Sequence, residues 1–348
     1  MIKISSFKNK LNQEKLPDKK QFAFWDDYPL IQKDMIAVNE IIFNHISHVN
    51  GIMGQALYDT FSVPGKMLRP AFVMLFSQFS KKAKFKHKQL LNIAASIEML
   101  HNATLIHDDI IDESDLRHGQ PSIQAKYGKH IAVYAGDYLF AVSLSILSAN
   151  TKNISTLQRD SQTMEAILLG ETEQYNFVYD TSITIDQYLE HIKGKTSVLF
   201  GLACLLGSFE SGAGIRQALK AQKFGEYLGQ VFQIRDDILD YTTSAQNLKK
   251  PVLLDVKDGV YSAPLIFALQ NDPQQKLHKL VSYGKKLTNS QLHEIDQLVK
   301  EYGGVKQASQ LADQYTEKAL SYLQKHWPEN KTRQQIESLT HQLLDRKY

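Results

Sequence analysis

Cysteine is nearly absent: Cys204 is the only one in 348 residues, so no internal disulfide can form. It lies in the apolar stretch "VLFGLACLLGSF", where a thiol reads as a small buried hydrophobe. A reducing, cytoplasmic setting is expected for such a chain. Proline and glycine are sparse, with 9 and 18 residues, and no linker rich in Pro, Gly or Ser interrupts the sequence. Alternating β-branched runs bounded by turns are almost missing, which argues against a sheet protein. There is no repeat of fixed solenoid period and no glycine-rich phosphate loop, which argues against the usual nucleotide phosphotransferases. The excess charge is only +3. The cations are dispersed and no aromatic-rich basic groove is visible, so nucleic acid is not an expected partner. The polar N-terminus has no apolar core and is not expected to be a secretory signal. No unbroken apolar stretch of the roughly 18–20 residues that span a bilayer is expected either.

What is present is helical spacing. In "HKQLLNIAASIEMLHNATLIHDD", Leu90, Ile93, Ala94, Ile97, Leu100 and Ile106 recur every three or four positions. The segments "MEAILLGETEQY", "DQYLEHIKGKTSVLFGLACLLGSF", "ALKAQKFGEYLGQVFQIRDDILDY", "NSQLHEIDQLVKEYGG" and "VKQASQLADQYTEKALSYLQKHW" read the same way. An all-α protein follows. Residues 1–25 are expected to be a polar, loosely ordered segment, and 26–348 a single helical domain. The stretch "SAQNLKKPVLLDVKDG" is expected to be a long loop acting as a lid.

Negative charge is concentrated at two places. "LIHDDIIDESD" holds Asp108, Asp109 and Asp112, and "QIRDDILD" holds Asp236, Asp237 and Asp240. Both spell D-D-x-x-D, and residues four apart share one helix face. A single such motif can be a solvated face. Here both have apolar flanks, "TLIHDDII" and "FQIRDDIL", and a buried carboxylate cluster without cations is too costly to persist. Two such faces turned toward each other would make a cage of hard oxygen ligands suited to Mg²⁺ and substrate phosphates. Zinc is not expected, since His107 is the only His or Cys at ligand spacing.

Basic residues that could meet phosphate lie elsewhere. "PGKMLRPAF" carries Lys66 and Arg69, a compact charge and a bidentate fork that together match a diphosphate. Arg117 and His118 follow the first acidic motif. "KGKTS" holds Lys193, Lys195 and Thr196, and the proposed lid holds Lys249 and Lys250. Arg235 adjoins the second motif and could be a plain ion-pair partner. His101 lies two helical turns before Asp108.

Taken in order, "GKMLRP", "EMLHNATLIHDDIIDESDLRHGQPS", "YAGDYLF", "GKTS", "GQVFQIRDDILD" and "DVKDGVYSAPLI" resemble the trans-polyprenyl diphosphate synthases, or all-trans isoprenyl transferases. The resemblance extends from about residue 60 to 270, nearest to medium- and long-chain members such as the large subunit of heptaprenyl diphosphate synthase. It implies a bundle of long antiparallel helices around a deep central cavity, in a homodimer or a heterodimer with a small helper subunit. It implies that Asp108, Asp112 and Asp236 ligate three Mg²⁺ ions, with Asp109, Asp237 and Asp240 in support. By the same resemblance Arg117, Lys195 and Lys250 hold an allylic diphosphate, Thr196 and Gln233 lie beside the reacting carbons, and Lys66, Arg69 and His101 hold isopentenyl diphosphate. The implied reaction is ionisation, condensation and elimination. The allylic C–O bond breaks, the isopentenyl double bond attacks the cation, and a proton leaves.

Two positions depart from the family pattern. His118 stands where a second arginine of the isopentenyl diphosphate pocket is usual, and its charge depends on pH. The lid reads "LKKP" where glycine–lysine is commoner. Product length is read from Ala103 and Thr104, five and four positions before Asp108. Short-chain members carry a bulky aromatic there. Two small residues imply a medium or long product, six to nine isoprene units by analogy, with farnesyl or geranylgeranyl diphosphate as primer and a quinone side chain as its use. Leu100, Ile97 or Phe140 could floor the cavity instead. So apolar a product implies release to a membrane surface or a partner subunit. The alternatives are a short-chain synthase, a terpene synthase, or a non-catalytic subunit of a heteromeric enzyme.

Overall fold

A computed structural model describes residues 19–63, 65–117, 119–151, 153–242 and 253–344. Among the described residues there are sixteen α-helices and one short hairpin, so the protein is all-α. They group into two compact units. One is formed by residues up to Gln158 with Ala203–Ala218, the other by Arg159–Leu202 and residues from Leu219 onward.

In the first unit the helices are α1 (Pro29–Ile46), α2 (Gly51–Ser62), α3 (Leu68–Ser77), α4 (His87–Ile111), α5 (Ile123–Tyr127) and α6 (Lys129–Asn150). Helix α4 is its axis. Residues 93–100 of α4 are buried without a break, including the polar Ser96 and Glu98. A helix closed in on all sides is a core helix, and α1, α3 and α6 all pack against this one. Helix α6 meets α4 with small residues at helical spacing, Ala132, Ala135, Gly136 and Ser143, which let the two backbones run close. Glu210, in the part of the chain that joins this unit, accepts hydrogen bonds from Thr151 Oγ1 at 2.7 Å and Thr156 Oγ1 at 2.6 Å.

The N-terminal segment departs from expectation. Residues 19–25 are not loose: "KKQFAFW" forms a short 3₁₀ helix with Phe22 and Trp25 buried. The aromatic side chains of this segment are reason enough, since they find apolar partners that lysines alone would not need. Residues 1–18 lie outside the described residues.

The chain next forms α7 (Ile154–Gln174), α8 (Ile185–Ile192), α9 (Val198–Glu210), α10 (Ile215–Thr242), α11 (Leu254–Lys257), α12 (Ala263–Gln270), α13 (Lys276–Val281), α14 (Asn289–Glu301), α15 (Gly304–His326) and α16 (Lys331–Leu344); of these, α8 and α11 to α16 lie in the second unit, and Ala203–Glu210 of α9 belongs to the first. The apolar α12 packs on α14 and α15. Helices α8 and α14 open on capping boxes, Thr184 with Gln187 and Thr288 with Gln291, which satisfy otherwise orphaned backbone N–H groups. Between α8 and α9 the helix widens into a single π turn, Lys193–Ser197.

Among the described residues two helices are long and apolar enough to cross a membrane by length and composition, though neither is an unbroken apolar run. Ile185–Glu210 reaches a mean hydropathy of 1.2 and is 72% buried there, as a core helix is. Lys129–Asn150 reaches 1.6 with only 39% buried. Its small and apolar residues are interrupted by a full charge only at Lys129 and Asp137. Its outer face exposes Val133, Tyr134 and Leu144.

Candidate active site

The first acidic motif sits at the very end of α4. The helix closes at Ile111, and Asp112 caps it by donating its N–H to the Asp108 carbonyl at 2.8 Å. Asp108 and Asp112 therefore keep the one-turn spacing read from the sequence, at a helix end rather than along its body. No basic residue lies in the last turn of α4. The exposed carbonyls there carry partial negative charge, so carboxylates at this end are unfavourable unless a cation joins them. Glu113, at φ +49°, turns the chain away and pairs with Lys129 at 2.6 Å.

Asp109 has a different task. It is buried and takes three hydrogen bonds from Arg117: Nε to Oδ1 at 2.9 Å, Nε to Oδ2 at 2.8 Å, and Nη2 to Oδ1 at 2.7 Å. Arg117 stands on a two-residue strand paired with Gln120–Pro121, which aims its guanidinium back at the helix end. The structure thus joins Asp109 and Arg117 into one bidentate unit. In the sequence Asp109 reads as a support for the metal ligands and Arg117 as a diphosphate holder, because residues eight apart across a turn carry no periodic signal. His118 lies outside the described residues.

Arg69 and His101 also come together. Arg69 Nη1 and His101 Nε2 are 2.9 Å apart, linking the start of α3 to the middle of α4. Burial lowers the Arg69 guanidinium to about 10, opposed by the attraction of Glu98. Lys66 lies in the loop just before, where its ammonium sits 5.1 Å from the Phe24 ring and its carbonyl accepts the Trp25 indole N–H at 2.8 Å. The N-terminal aromatic segment therefore braces the Lys66 loop, a link that no spacing in the sequence reveals. Glu98 is the other group missed. Burial pushes its carboxyl up to about 7, against the pull of Arg69 and the Asn102 amide.

Thr104 and Ala103 separate. Thr104 lies in the Asp108 column of α4 and donates its hydroxyl to the His101 carbonyl at 2.7 Å. Ala103 is fully buried, in the column of His107. That imidazole stacks on Phe140 of α6 with ring centroids 5.4 Å apart, and its Nε2 is 3.3 Å from Asp137. Leu100 and Ile97 are buried further down α4.

In the second unit the acidic motif occupies the last two turns of α10, again with no basic residue in the last turn. Asp236 is exposed and Asp240 half-buried. Asp237 accepts from Tyr188 Oη at 2.7 Å and from Gln233 Nε2 at 2.8 Å. Gln233 Oε1 in turn accepts from Thr196 Oγ1 at 2.7 Å. Burial pushes the Asp237 carboxyl up to about 8. The Tyr188 and Gln233 hydrogen bonds pull the other way, and the nearby charges of Asp236 and Asp255 add to the rise. Asp255, on α11, is thus a further carboxylate beside the motif.

Thr196 and Lys195 stand in the π turn. Such turns alter the direction of the side chains they carry and recur at functional sites. It is held by close approach: a Cβ on Gly229 would lie 2.6 Å from the Ser197 Cα, and one on Gly170 would lie 2.9 Å from the Gly194 Cα. Lys195 also helps keep the neighbouring His191 neutral: burial, then that charge, lowers the imidazole to about 4. Lys193 pairs with Glu190 at 2.8 Å, and Arg235 is an ion-pair partner of Asp313 at 2.5 Å, as its bland reading had it. Lys249, Lys250 and most of the expected lid lie outside the described residues.

Among the described residues no three His, Cys, Asp or Glu side chains converge on one metal-sized point. The donor chemistry still fits a hard divalent cation. Two sets of carboxylates stand at helix ends whose last turns hold no basic residue, and burial and neighbouring acids hold Asp237 far above the usual carboxylate range.

Two D-D-x-x-D motifs on separate helices of an all-α fold, one bonded to an arginine and one to a glutamine amide, define a class of protein. The polyprenyl synthetase family profile matches residues 50–302, and the chain belongs to that family: it is a prenyltransferase. It is 32% identical over 296 residues to heptaprenyl diphosphate synthase component 2 of Geobacillus stearothermophilus, covering 85% of this chain and 91% of that one. It is 34% identical over 323 residues to the chloroplastic solanesyl-diphosphate synthase 2 of Oryza sativa subsp. japonica, covering 91% and 78%. The solved geranylgeranyl pyrophosphate synthase of Lactobacillus brevis superposes with a TM-score of 0.85 at 35% identity, covering 94% of this chain and all of that one.

Proposed function

We propose that this enzyme lengthens an allylic prenyl diphosphate by successive additions of isopentenyl diphosphate and makes a medium- or long-chain all-trans polyprenyl diphosphate. In each cycle the allylic C1–O bond breaks and diphosphate leaves. The isopentenyl double bond forms the new C–C bond to C1, and a proton passes from the isopentenyl C2 to the departing diphosphate. The observation that carries this reading is two D-D-x-x-D motifs, each at a helix end, the first with Arg117 bonded to Asp109 and the second with Tyr188 and Gln233 bonded to Asp237.

In this reading Asp108, Asp112 and Asp236 hold Mg²⁺, with Asp240 in support. When bound, Mg²⁺ supplies positive charge that favours departure of the diphosphate. Arg117, oriented by Asp109, and Lys195 bind the allylic diphosphate, and Lys66, Arg69 and His101 bind isopentenyl diphosphate. Thr196 and Gln233 turn oxygen dipoles toward the allylic cation, which stabilises it without trapping it. Thr104, a small residue one helical turn before Asp108, is in keeping with a longer product. Names among the relatives support the same length, heptaprenyl and solanesyl. A short-chain product is the second reading, favoured by the geranylgeranyl synthase likeness. The "component 2" in a relative's name supports a helper subunit, and the apolar outer face of α6 supports a partner chain of some kind.

The test is the purified chain with Mg²⁺, labelled isopentenyl diphosphate and each allylic primer in turn, with product length read by chromatography. Extension to about six units or more supports the proposal. Products that stop at four units favour the short-chain reading. A cyclised hydrocarbon, or no extension with or without added helper, overturns both.

A further inference from the structure

The reading of Thr196 and Gln233 as dipoles beside the allylic cation leaves a question that the side chains themselves answer. A glutamine amide can lie either way round, and only one way turns its oxygen where a cation is stabilised. The other way presents the N–H edge, whose partial positive charge opposes the ionisation. In this protein the choice is made by a chain of three hydrogen bonds. Tyr188 Oη donates to Asp237 Oδ2 at 2.7 Å, Gln233 Nε2 donates to Asp237 Oδ1 at 2.8 Å, and Thr196 Oγ1 donates to Gln233 Oε1 at 2.7 Å.

We propose that Tyr188 is a positioning residue for the prenyl transfer: by fixing the Asp237 carboxylate it sets the direction of the Gln233 amide and of the Thr196 hydroxyl. The Gln233 NH₂ group faces Asp237, donating from Nε2 to Oδ1 at 2.8 Å. That forces the amide oxygen toward Thr196, and the Thr196 proton is committed to it. The remaining lone pairs of both oxygens are then free to face positive charge. Tyr188 is buried on α8, one turn before the π turn. It holds Asp237 from the side opposite Gln233, so the carboxylate cannot rotate toward Asp236 without abandoning a buried hydroxyl. The close packing of Gly229 on Ser197 keeps the Thr196 end of the chain in place. Nothing in the spacing of "DQYLEHIKGKTS" and "QIRDDILD" links Tyr188 to Asp237, 49 residues away.

This proposal rests on the assignment of Gln233 and Thr196 to the reacting carbons, and the experiment separates the two. Tyr188→Phe keeps the ring in its place and removes only the donor. With the full chain, Mg²⁺, isopentenyl diphosphate and farnesyl diphosphate, kcat is expected to fall about tenfold or more, as a lost oriented hydrogen bond would cause. Both KM values are expected to change by less than about twofold, since no diphosphate-binding group is touched. Gln233→Leu is expected to lose activity by itself, and Tyr188→Phe to cause no further loss in the Gln233→Leu background. An unchanged kcat in Tyr188→Phe, or losses that multiply in the double variant, overturns the positioning role. A Gln233→Leu variant with unchanged kcat overturns the underlying assignment, whatever Tyr188 does. Melting temperatures taken alongside identify a purely structural effect, which would lower stability without the KM-against-kcat split.

Discussion

Glu98 shows how burial gives one residue a role that its chemistry alone does not. It lies on the most enclosed stretch of α4, beside Arg69 and Asn102. Its folded value near 7 is above the ordinary 4.5, so the folded protein keeps this proton over a pH range where the unfolded chain has lost it. That stabilisation is complete below pH 4.5 and disappears as pH rises through 7. Parent protein is therefore expected to lose stability between pH 5 and 7.5, and Glu98→Gln to remove up to ~3 kcal/mol of that dependence. Thermal melts of both proteins across this range check it, and equal slopes would refute it. Positions 103 and 104 make a second residue-scale contrast. Thr104→Phe is expected to shorten the product with little loss of stability. Ala103→Phe must enter a packed interior, and the resulting overpacking should cost about 1–3 kcal/mol. If Ala103→Phe melts with the parent, or Thr104→Phe leaves the product spectrum unchanged, the division of the two columns is wrong.

At the scale of elements, the ends of α4 and α10 matter more than their bodies. Each presents carboxylates where the helix already carries negative partial charge, and neither has a basic residue in its last turn. A carboxylate there stands against the negative pole of its own helix. Asp112→Asn is therefore expected to melt at or slightly above the parent in chelator, by the equivalent of about 0.3–1 kcal/mol. It is expected to lose most of the stabilisation that Mg²⁺ gives the parent. A variant that falls below the parent in chelator would sink this account. The π turn is the other decisive element. Its residues, "KGKTS", were picked out in the sequence as a basic pair with a threonine. The widening that directs Thr196 toward Gln233 was not visible, because it depends on the glycines of α7 and α10 that press on it from elsewhere in the chain.

For the molecule as a whole, α6 carries an unresolved tension between composition and exposure. Its mean hydropathy is membrane-like, yet most of that window is open, with Tyr134 65% exposed. An outer face built from Val133, Tyr134, Ala141 and Leu144 fits coverage by a partner chain, in line with the proposed dimer. Leu144→Glu is expected to place a charge on that face and shift the light-scattering mass of the purified protein toward that of a single chain. A mass unchanged by this substitution, or a parent that is already a monomer, counts against coverage by a second copy.

The sequence by itself determined the helical class, the two aspartate motifs and the cations around them. All of these are local: periodicity, spacing and residue type carry them without reference to the fold. It misjudged residues 19–25, where Phe22 and Trp25 gain stability only once a core exists to receive them. What the tertiary structure decided is which polar groups face each other. Asp109 is given to Arg117, Asp237 to Tyr188 and Gln233, and Arg69 to His101 and Glu98. Hydrogen bonds are short and directional, so a few ångströms settle each pairing, and such distances exist only after the helices have packed.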